Sequence, residues 1–79
     1  MIDIVKKKPI RVSASEGQPY LVVPLEQLDK VTALLDANQV AHWVDEEVLS
    51  IDGKPEIAFI NLDDQTDAAM VQRLLDTVP

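Results

Sequence analysis

The chain has 79 residues, of which 14 are acidic and 7 are basic, and it contains no cysteine. Leu, Ile, Val and Phe (9, 6, 10 and 1 residues) make up about a third of the chain, a content typical of a folded domain rather than a disordered segment. One compact domain is expected, because domains rarely have fewer than about 50 residues. The lack of cysteine excludes disulfides and a zinc knuckle, and the single histidine leaves carboxylates to complete any metal site.

Charge is distributed unevenly along the chain. Residues 1–11 carry a net charge of +3 and residues 12–79 carry −10, which gives −7 for the whole chain. We expect the acidic body to repel the phosphates of nucleic acid. The lysines at 6–8 are expected to lie in a flexible basic N-terminal arm over residues 1–9, ahead of a single α+β domain over residues 10–79.

No segment has the pattern of a secretory signal or a membrane anchor. The basic residues near the start follow the apolar ones, which reverses the order found in a signal peptide. The longest apolar stretch covers residues 21–25, whereas a helix that spans a bilayer needs about 20 apolar residues. The sequence therefore predicts a soluble, cytoplasmic protein with no membrane partner.

A β-hairpin is predicted near the start of the domain. Residues 10–15 alternate between apolar and polar side chains, the period of a strand with one buried face. Residues 20–23 have no polar face, which is typical of a central strand. The segment between them, residues 16–19, contains Gly17 and Pro19 and has the composition of a turn.

An amphipathic helix is predicted over residues 25–37. Its apolar positions recur at a spacing of three or four residues: Leu25, Leu28, Val31 and Leu35. Pro24 suits the start of this helix, where a missing N–H costs little. Asn38 is predicted to cap its end, because asparagine tolerates the left-handed conformation.

Two further strands are predicted in the second half of the chain. Residues 40–51 are predicted to form a bent strand, with a bulge at residues 45–47 where the apolar phase slips. Asp52 and Gly53 indicate a hairpin turn. Residues 56–61 are predicted to form the returning strand, which is apolar on both faces and therefore central.

A second helix is predicted over residues 65–77, after an acidic segment. Its apolar stripe consists of Ala68, Val71, Leu74, Leu75 and Val78. The segment Asp63-Asp64-Gln65-Thr66-Asp67 matches the DDxxD pattern with which terpenoid synthases hold magnesium, but 79 residues cannot enclose the cavity that such chemistry needs. We therefore predict that Asp63 or Asp64 caps the helix and that Asp67 lies in its first turn.

The predicted order of elements is ββαββα, which indicates the α+β class. With the two apolar strands, 20–23 and 56–61, parallel and adjacent at the centre, the strands 10–15 and 40–51 become the edges of a four-stranded sheet. Both helices then cover one face of it. This two-layer α/β sandwich resembles the ferredoxin-like fold in a permuted form, with its usual last strand moved to the front, and a fold of this kind does not by itself imply a function.

His42 is the only candidate for a general base. It alternates with apolar side chains in its strand, whereas Trp43 points to the other face together with Asp45. A general base needs a substrate pocket and an orienting carboxylate, and Asp45 or Glu47 would have to provide the latter. One hypothesis is therefore a small enzyme or ligand-binding domain that uses His42 with Asp45 or Glu47 at a subunit interface.

The hypothesis that we favour is a small, soluble, non-catalytic interaction module that self-associates or binds a protein partner. The central strands are apolar on both faces, and two helices cover only one of them, so an apolar face remains for a second copy or a partner to cover. A homodimer is expected, with no cofactor, no metal site and no catalytic residue. The residues expected to bind the partner are Tyr20, Trp43, Asp45, Glu46 and Glu47.

Overall fold

The structure is a computed structural model that describes residues 1–45 and 56–78. These residues form a mixed α+β fold with a four-stranded antiparallel sheet, a separate two-stranded sheet and two α-helices. The strands are β1 (Ile2–Asp3), β2 (Lys8–Pro9), β3 (Ser13–Ser15), β4 (Gln18–Pro24), β5 (His42–Val44) and β6 (Ile57–Leu62), and the helices are α1 (Leu28–Ala37) and α2 (Ala68–Thr77). The predicted bulge at Glu46 and Glu47 and the predicted turn at Asp52 and Gly53 lie outside the described residues.

The strands of the larger sheet lie in the order β3-β4-β6-β5, and each neighbouring pair is antiparallel. The sequence correctly predicts β4 and β6 as central neighbours and β3 and β5 as edges, but the predicted parallel pairing of the central strands is wrong. Leu21 lies opposite Ile60, and Val23 lies opposite Ala58, in an antiparallel register. The reason is the course of the chain: β5 runs parallel to β4 after the α1 crossover, and β6 returns between them, antiparallel to both.

The N-terminal segment, for which the sequence predicts a flexible arm over residues 1–9, contains the antiparallel pair β1 and β2. Asp3 stabilises the loop between these strands, because its Oδ1 accepts two backbone N–H groups of the loop, each at 2.8 Å. The side chains of Met1 and Ile10 lie in the hydrophobic core. This geometry gives the segment a defined position against the domain, and its flexibility in solution stays a prediction.

Strand β3 begins at Ser13 rather than at residue 10, and the Gln72 side chain on α2 explains the difference. Its Oε1 accepts the N–H of Val12 at 2.8 Å, and its Nε2 donates to the carbonyl of Ile10 at 3.0 Å. The backbone of this stretch is therefore bonded to α2 before β3 begins to pair with β4.

The predicted hairpin between β3 and β4 is confirmed, with a turn of only two residues. Ser15 lies opposite Gln18, so that Glu16 and Gly17 alone form the turn. Their φ angles, 52° and 82°, are both positive, as a type I′ turn requires. Gly17 adopts this conformation without strain, whereas Glu16 carries a Cβ in a region that favours glycine and asparagine.

Helix α1 follows a 3-10 turn over Leu25–Gln27, so the predicted helix over residues 25–37 is confirmed with a tighter first turn. Its end is a Schellman motif: the N–H groups of Gln39 and Val40 donate to carbonyls of the last helical turn at 3.1 and 2.9 Å. Asn38 is the C-cap, as predicted, but the left-handed residue is Gln39, with φ 58°. The Asn38 amide instead donates to the carbonyl of Leu34 at 2.8 Å.

Helix α2 begins at Ala68, three residues later than predicted, and its N-cap is Asp67. The Asp67 Oδ1 accepts the N–H groups of the second and third helical residues at 3.0 and 3.3 Å. The prediction that Asp63 or Asp64 caps the helix is therefore wrong, as is the position of Asp67 in the first turn. Asp63 forms a separate turn after β6, in which its Oδ1 accepts an N–H at 2.8 Å and its carbonyl accepts the N–H of Thr66 at 2.9 Å.

In the described part of the chain, a hydrophobic cluster joins the two helices to one face of the sheet. Alternate residues of the central strands point into it, and each helix contributes a pair of residues four positions apart. Its fully buried members are Leu21, Val23, Val31, Leu35, Ala58, Ile60, Leu62, Val71 and Leu75. Leu25 and Ala68, which the sequence places on the apolar stripes, are exposed because each lies at or before the start of its helix.

Candidate interaction surface

The face of the sheet opposite to the core is formed by the remaining alternate residues of the strands. We call it the open face and define it as Ser13, Ser15, Gln18, Tyr20, Val22, Trp43, Asp45, Ile57, Phe59 and Asn61. Cross-strand partners share a face of a sheet, and the register places Asn61 opposite both Tyr20 and Trp43, and Phe59 opposite Val22. The apolar members of the open face are not part of the hydrophobic cluster that holds the helices.

The centre of the open face is apolar and aromatic. Tyr20, Val22, Ile57 and Phe59 are half-buried by their neighbours in the sheet. The rings of Tyr20 and Phe59 are tilted by 40°, with their centroids 6.4 Å apart, a spacing typical of an aromatic pair. Trp43, on the edge strand β5, is 50% exposed. The open face therefore presents large apolar side chains that no described helix packs against.

The β5 edge of the open face is acidic and polar. The Asn61 side-chain amide donates to Asp45 Oδ1 at 2.8 Å, and the Asp45 backbone N–H donates to the carbonyl of Phe59 at 3.0 Å. These bonds fix the Asp45 carboxylate beside the aromatic centre. The sequence predicts that the strand over residues 56–61 is apolar on both faces. The open face is instead partly polar, because Asn61 points to this side.

The opposite edge of the open face, next to β3, is basic. A cavity of about 210 Å³ lies there, and its lining includes three cations, Lys6, Lys8 and Arg11, together with Asp3 and Val22. The pairing of β3 with β4 ends at Ser13, and Arg11, two residues before it, lines this cavity together with Val22. The three cations lie in the part of the chain that the sequence identifies as basic.

The structure brings together three of the five residues predicted to bind a partner. Tyr20, Trp43 and Asp45 all lie on the open face. Glu46 and Glu47 lie outside the described residues. Sequence reasoning missed Asn61 and Arg11, although each has a usable signal: Asn61 is two residues from Phe59, and Arg11 is two residues from Ser13, so each has the parity of an open-face position.

His42 lies on the other side of β5, opposite Leu62, and its side chain is 12% exposed. Its Nδ1 is 2.8 Å from the carbonyl of Val40, and since a carbonyl only accepts, Nδ1 carries the proton. Its Nε2 is 3.6 Å from a carboxylate oxygen of Asp36. The structure therefore does not bring His42 together with Asp45, and Glu47 lies outside the described ranges.

A second cavity, of about 400 Å³, lies between the end of α1 and the start of α2, and its lining includes Gln39, Asp63, Asp67 and Met70. Both aspartates accept backbone N–H groups there through Oδ1. Within residues 1–45 and 56–78, no group of three or more His, Asp or Glu side chains is placed to hold a metal ion. The DDxxD match therefore corresponds to a turn and a helix cap.

Comparison of the chain with family models, with curated proteins and with solved structures found no match. In the part of the chain that the structure describes, neither helix is long and apolar enough to cross a membrane. The fold and the surface thus define a small α+β protein whose sheet has one face packed on helices and one aromatic face without a described helix.

Proposed function

We propose that this protein is a non-catalytic interaction module that associates with itself, or with another protein, through the open face of its sheet. The observation that carries the proposal is the exposed Trp43 on the same face of the sheet as the half-buried aromatic pair Tyr20 and Phe59. Aromatic side chains are enriched at the centres of protein interfaces, where they contribute much of the binding energy.

The proposal includes a fold of the ferredoxin-like type in a permuted form. The β4-α1-β5 segment supports it, because β4 and β5 are parallel and β6 lies between them, as in a split βαβ unit. The hairpin strand β3 precedes this unit and pairs with the free side of β4. In such a two-layer arrangement both helices lie on one side, which leaves the other side of the sheet to a partner.

The size of the open face is compatible with an interface. Strands β4 and β6 have seven and six residues and the edge strands β3 and β5 have three each, so at about 3.3 Å per residue and about 4.8 Å per strand the sheet has a footprint of about 300 Å². Burying that area contributes at most about 7.5 kcal/mol per copy, at 25 cal/mol per Å², because part of it is polar. Association costs about 4–15 kcal/mol in lost freedom, and two such faces together contribute at most about 15 kcal/mol, which is the upper end of that cost.

The position of His42 supports a non-catalytic role. Its imidazole is held by the Val40 carbonyl on the side of the sheet that faces the core, away from Asp45. A general base must reach a substrate proton with an orienting group behind it. The nearest acidic group, Asp36, is 3.6 Å away and its side chain is 73% exposed, so the pair has the geometry of a surface contact.

Sedimentation equilibrium at micromolar concentration and 0.15 M salt tests the proposal. The wild-type protein is expected to be a dimer, and the emission of Trp43, the only tryptophan, is expected to shift to shorter wavelength as concentration rises. Trp43→Glu should give a monomer, because it places a charge in the apolar contact. Met70→Glu is the matched control, since Met70 is an exposed apolar residue on α2, and should remain dimeric. A strictly monomeric wild-type protein would exclude self-association.

A further inference from the structure

We propose that the partner on the open face is a second copy whose two-fold axis runs parallel to the strands, so that Arg11 of each copy faces Asp45 of the other. This inference rests on the proposed self-association and adds its geometry. It is carried by the distribution of charge across the open face, which has one basic and one acidic edge.

The two charges lie in one row of the sheet. Asp45 is bonded through its N–H to Phe59, and Phe59 lies opposite Val22. Arg11 and Val22 line the same cavity at the other edge. The row Arg11, Val22, Phe59, Asp45 therefore crosses the open face from edge to edge, with apolar side chains between the two charges.

A two-fold axis that lies in the plane between the two sheets brings the open faces of two copies together, and its two limiting directions are perpendicular and parallel to the strands. An axis perpendicular to the strands stacks each edge on the same edge of the other copy, so that Arg11 meets Arg11 and Asp45 meets Asp45. An axis parallel to the strands stacks β3 on the other copy's β5, and each residue keeps its position along the strand direction. Each Arg11 then meets an Asp45 in the same row, and like charges are kept apart. The charge pattern therefore favours the parallel axis.

The distances agree with this pairing. Packed sheets lie about 10 Å apart. Arg11 and Asp45 are both exposed, and their combined side-chain lengths span a gap of that size. Lys6 and Lys8, which line the cavity beside Arg11, add positive charge opposite the acidic β5 edge. With the perpendicular axis, these lysines would lie close to the lysines of the other copy, which adds repulsion to that arrangement.

Charge reversal tests the pairing. Arg11→Glu is expected to weaken dimerisation roughly tenfold, since two attractive contacts become repulsive. The double variant Arg11→Glu, Asp45→Arg should regain the wild-type dissociation constant. Arg73→Glu, an exposed α2 residue with the same change in charge, is the matched control and should have an effect of less than about threefold. The pairing is wrong if Arg11→Glu raises the dissociation constant no more than Arg73→Glu does. It is also wrong if the double variant does not regain the wild-type dissociation constant.

Cross-linking gives a second readout that does not depend on charge. The chain has no cysteine, so single Arg11→Cys and Asp45→Cys variants each carry one thiol. A thiol-specific reagent that spans about 10 Å, the separation of packed sheets, should cross-link the two variants when they are mixed but neither variant alone. Cross-linking of each variant with itself would establish the perpendicular axis. A monomeric wild-type protein would contradict the proposed self-association itself. A dimer in which each variant cross-links with itself would contradict only the proposed orientation of the axis.

Discussion

Among residues 1–45 and 56–78, three residues with side chains occupy the left-handed region of backbone space: Lys7, Glu16 and Gln39, with φ angles of 58°, 52° and 58°. Each ends or turns an element, and a Cβ is unfavourable in this conformation. Gln39 has the clearest structural role, because the Schellman motif at the end of α1 requires a left-handed residue at this position. Glycine is the preferred residue at this position of the motif, so the glutamine is expected to cost stability that a glycine would regain.

Gln39→Gly is expected to stabilise the protein by about 0.5–1 kcal/mol, because glycine adopts a positive φ without a steric cost. Denaturant unfolding measures the change. Gln39→Ala is the matched control, since alanine retains the Cβ, and should leave the stability close to that of the wild type. Equal stabilities of the glycine and alanine variants would contradict the left-handed cap.

Asp67→Ala is expected to destabilise the protein by about 0.5–2 kcal/mol, because it removes the acceptor for two N–H groups at the start of α2. Asp63→Ala removes one bond in the preceding turn and should cost less. Asp64→Ala is the control, because Asp64 is exposed and does not precede the helix directly. Thermal unfolding of the three variants gives the ranking, and a larger loss for Asp64→Ala than for Asp67→Ala would contradict it.

The capping residues show what can be predicted at the scale of single residues. The sequence predicts an aspartate as the N-cap of α2, since aspartate is preferred at this position, but it assigns the cap to Asp63 or Asp64, whereas the N-cap is Asp67. It does not indicate which one, because Asp63 and Asp67 both precede backbone groups that need an acceptor. The choice depends on how many residues the chain uses to turn away from β6, and that number is set by packing of Val71 and Leu75 against the sheet.

At the scale of elements, two glutamines fix the N-terminal segment to the helices. The buried Gln27 accepts the N–H of Ile4 through Oε1 at 2.9 Å and donates from Nε2 to the carbonyl of Ile2 at 2.7 Å. Gln72 makes the same kind of two-way contact with Val12 and Ile10. Each amide thus satisfies a backbone donor and a backbone acceptor, as a neighbouring strand would.

Gln27→Met is expected to destabilise the protein by about 1–3 kcal/mol, because a side chain of similar size replaces the amide and leaves two backbone groups without partners. Amide hydrogen exchange should accelerate at Ile4 in this variant. Gln65→Met, at an exposed position in the turn before α2, is the control and should change neither quantity. Unchanged stability in Gln27→Met would instead support the flexible arm that the sequence predicts for residues 1–9.

Patterns along the chain predict the existence of elements better than their pairing. Hydrophobic periodicity correctly locates α1, and continuous apolar runs correctly locate β4 and β6. Strand direction leaves no such trace, since a strand that is apolar on both faces looks the same in parallel and antiparallel sheets. The open face could be predicted only as alternatives: parity shows that Tyr20 and Val22 share a side of β4 and that Ile57 and Phe59 share a side of β6. The register between the strands and the positions of the helices decide which sets share a face and which face is free.

At the scale of the whole molecule, the net charge of −7 per copy opposes self-association, and the range of that repulsion depends on salt. The Debye length is about 30 Å at 0.01 M salt and about 8 Å at 0.15 M. The molecule measures 35 × 28 × 19 Å, so nearly all charges of two copies repel one another at the lower salt concentration, and only close neighbours interact at the higher one. The proposed contact between Arg11 and Asp45 is shorter than the Debye length at both salt concentrations.

Dimerisation should therefore strengthen as salt rises from about 0.01 to 0.15 M, because screening removes the long-range repulsion before it removes contacts shorter than the Debye length. Sedimentation equilibrium across this range measures the dissociation constant. Arg73→Glu, which makes the net charge more negative on the helix side, should steepen the dependence on salt, whereas Lys30→Gln on α1 changes the charge by half as much and should steepen it less. A dimer that weakens continuously with added salt would mean that charge pairs, rather than the apolar centre around Phe59 and Trp43, provide most of the attraction between the two copies.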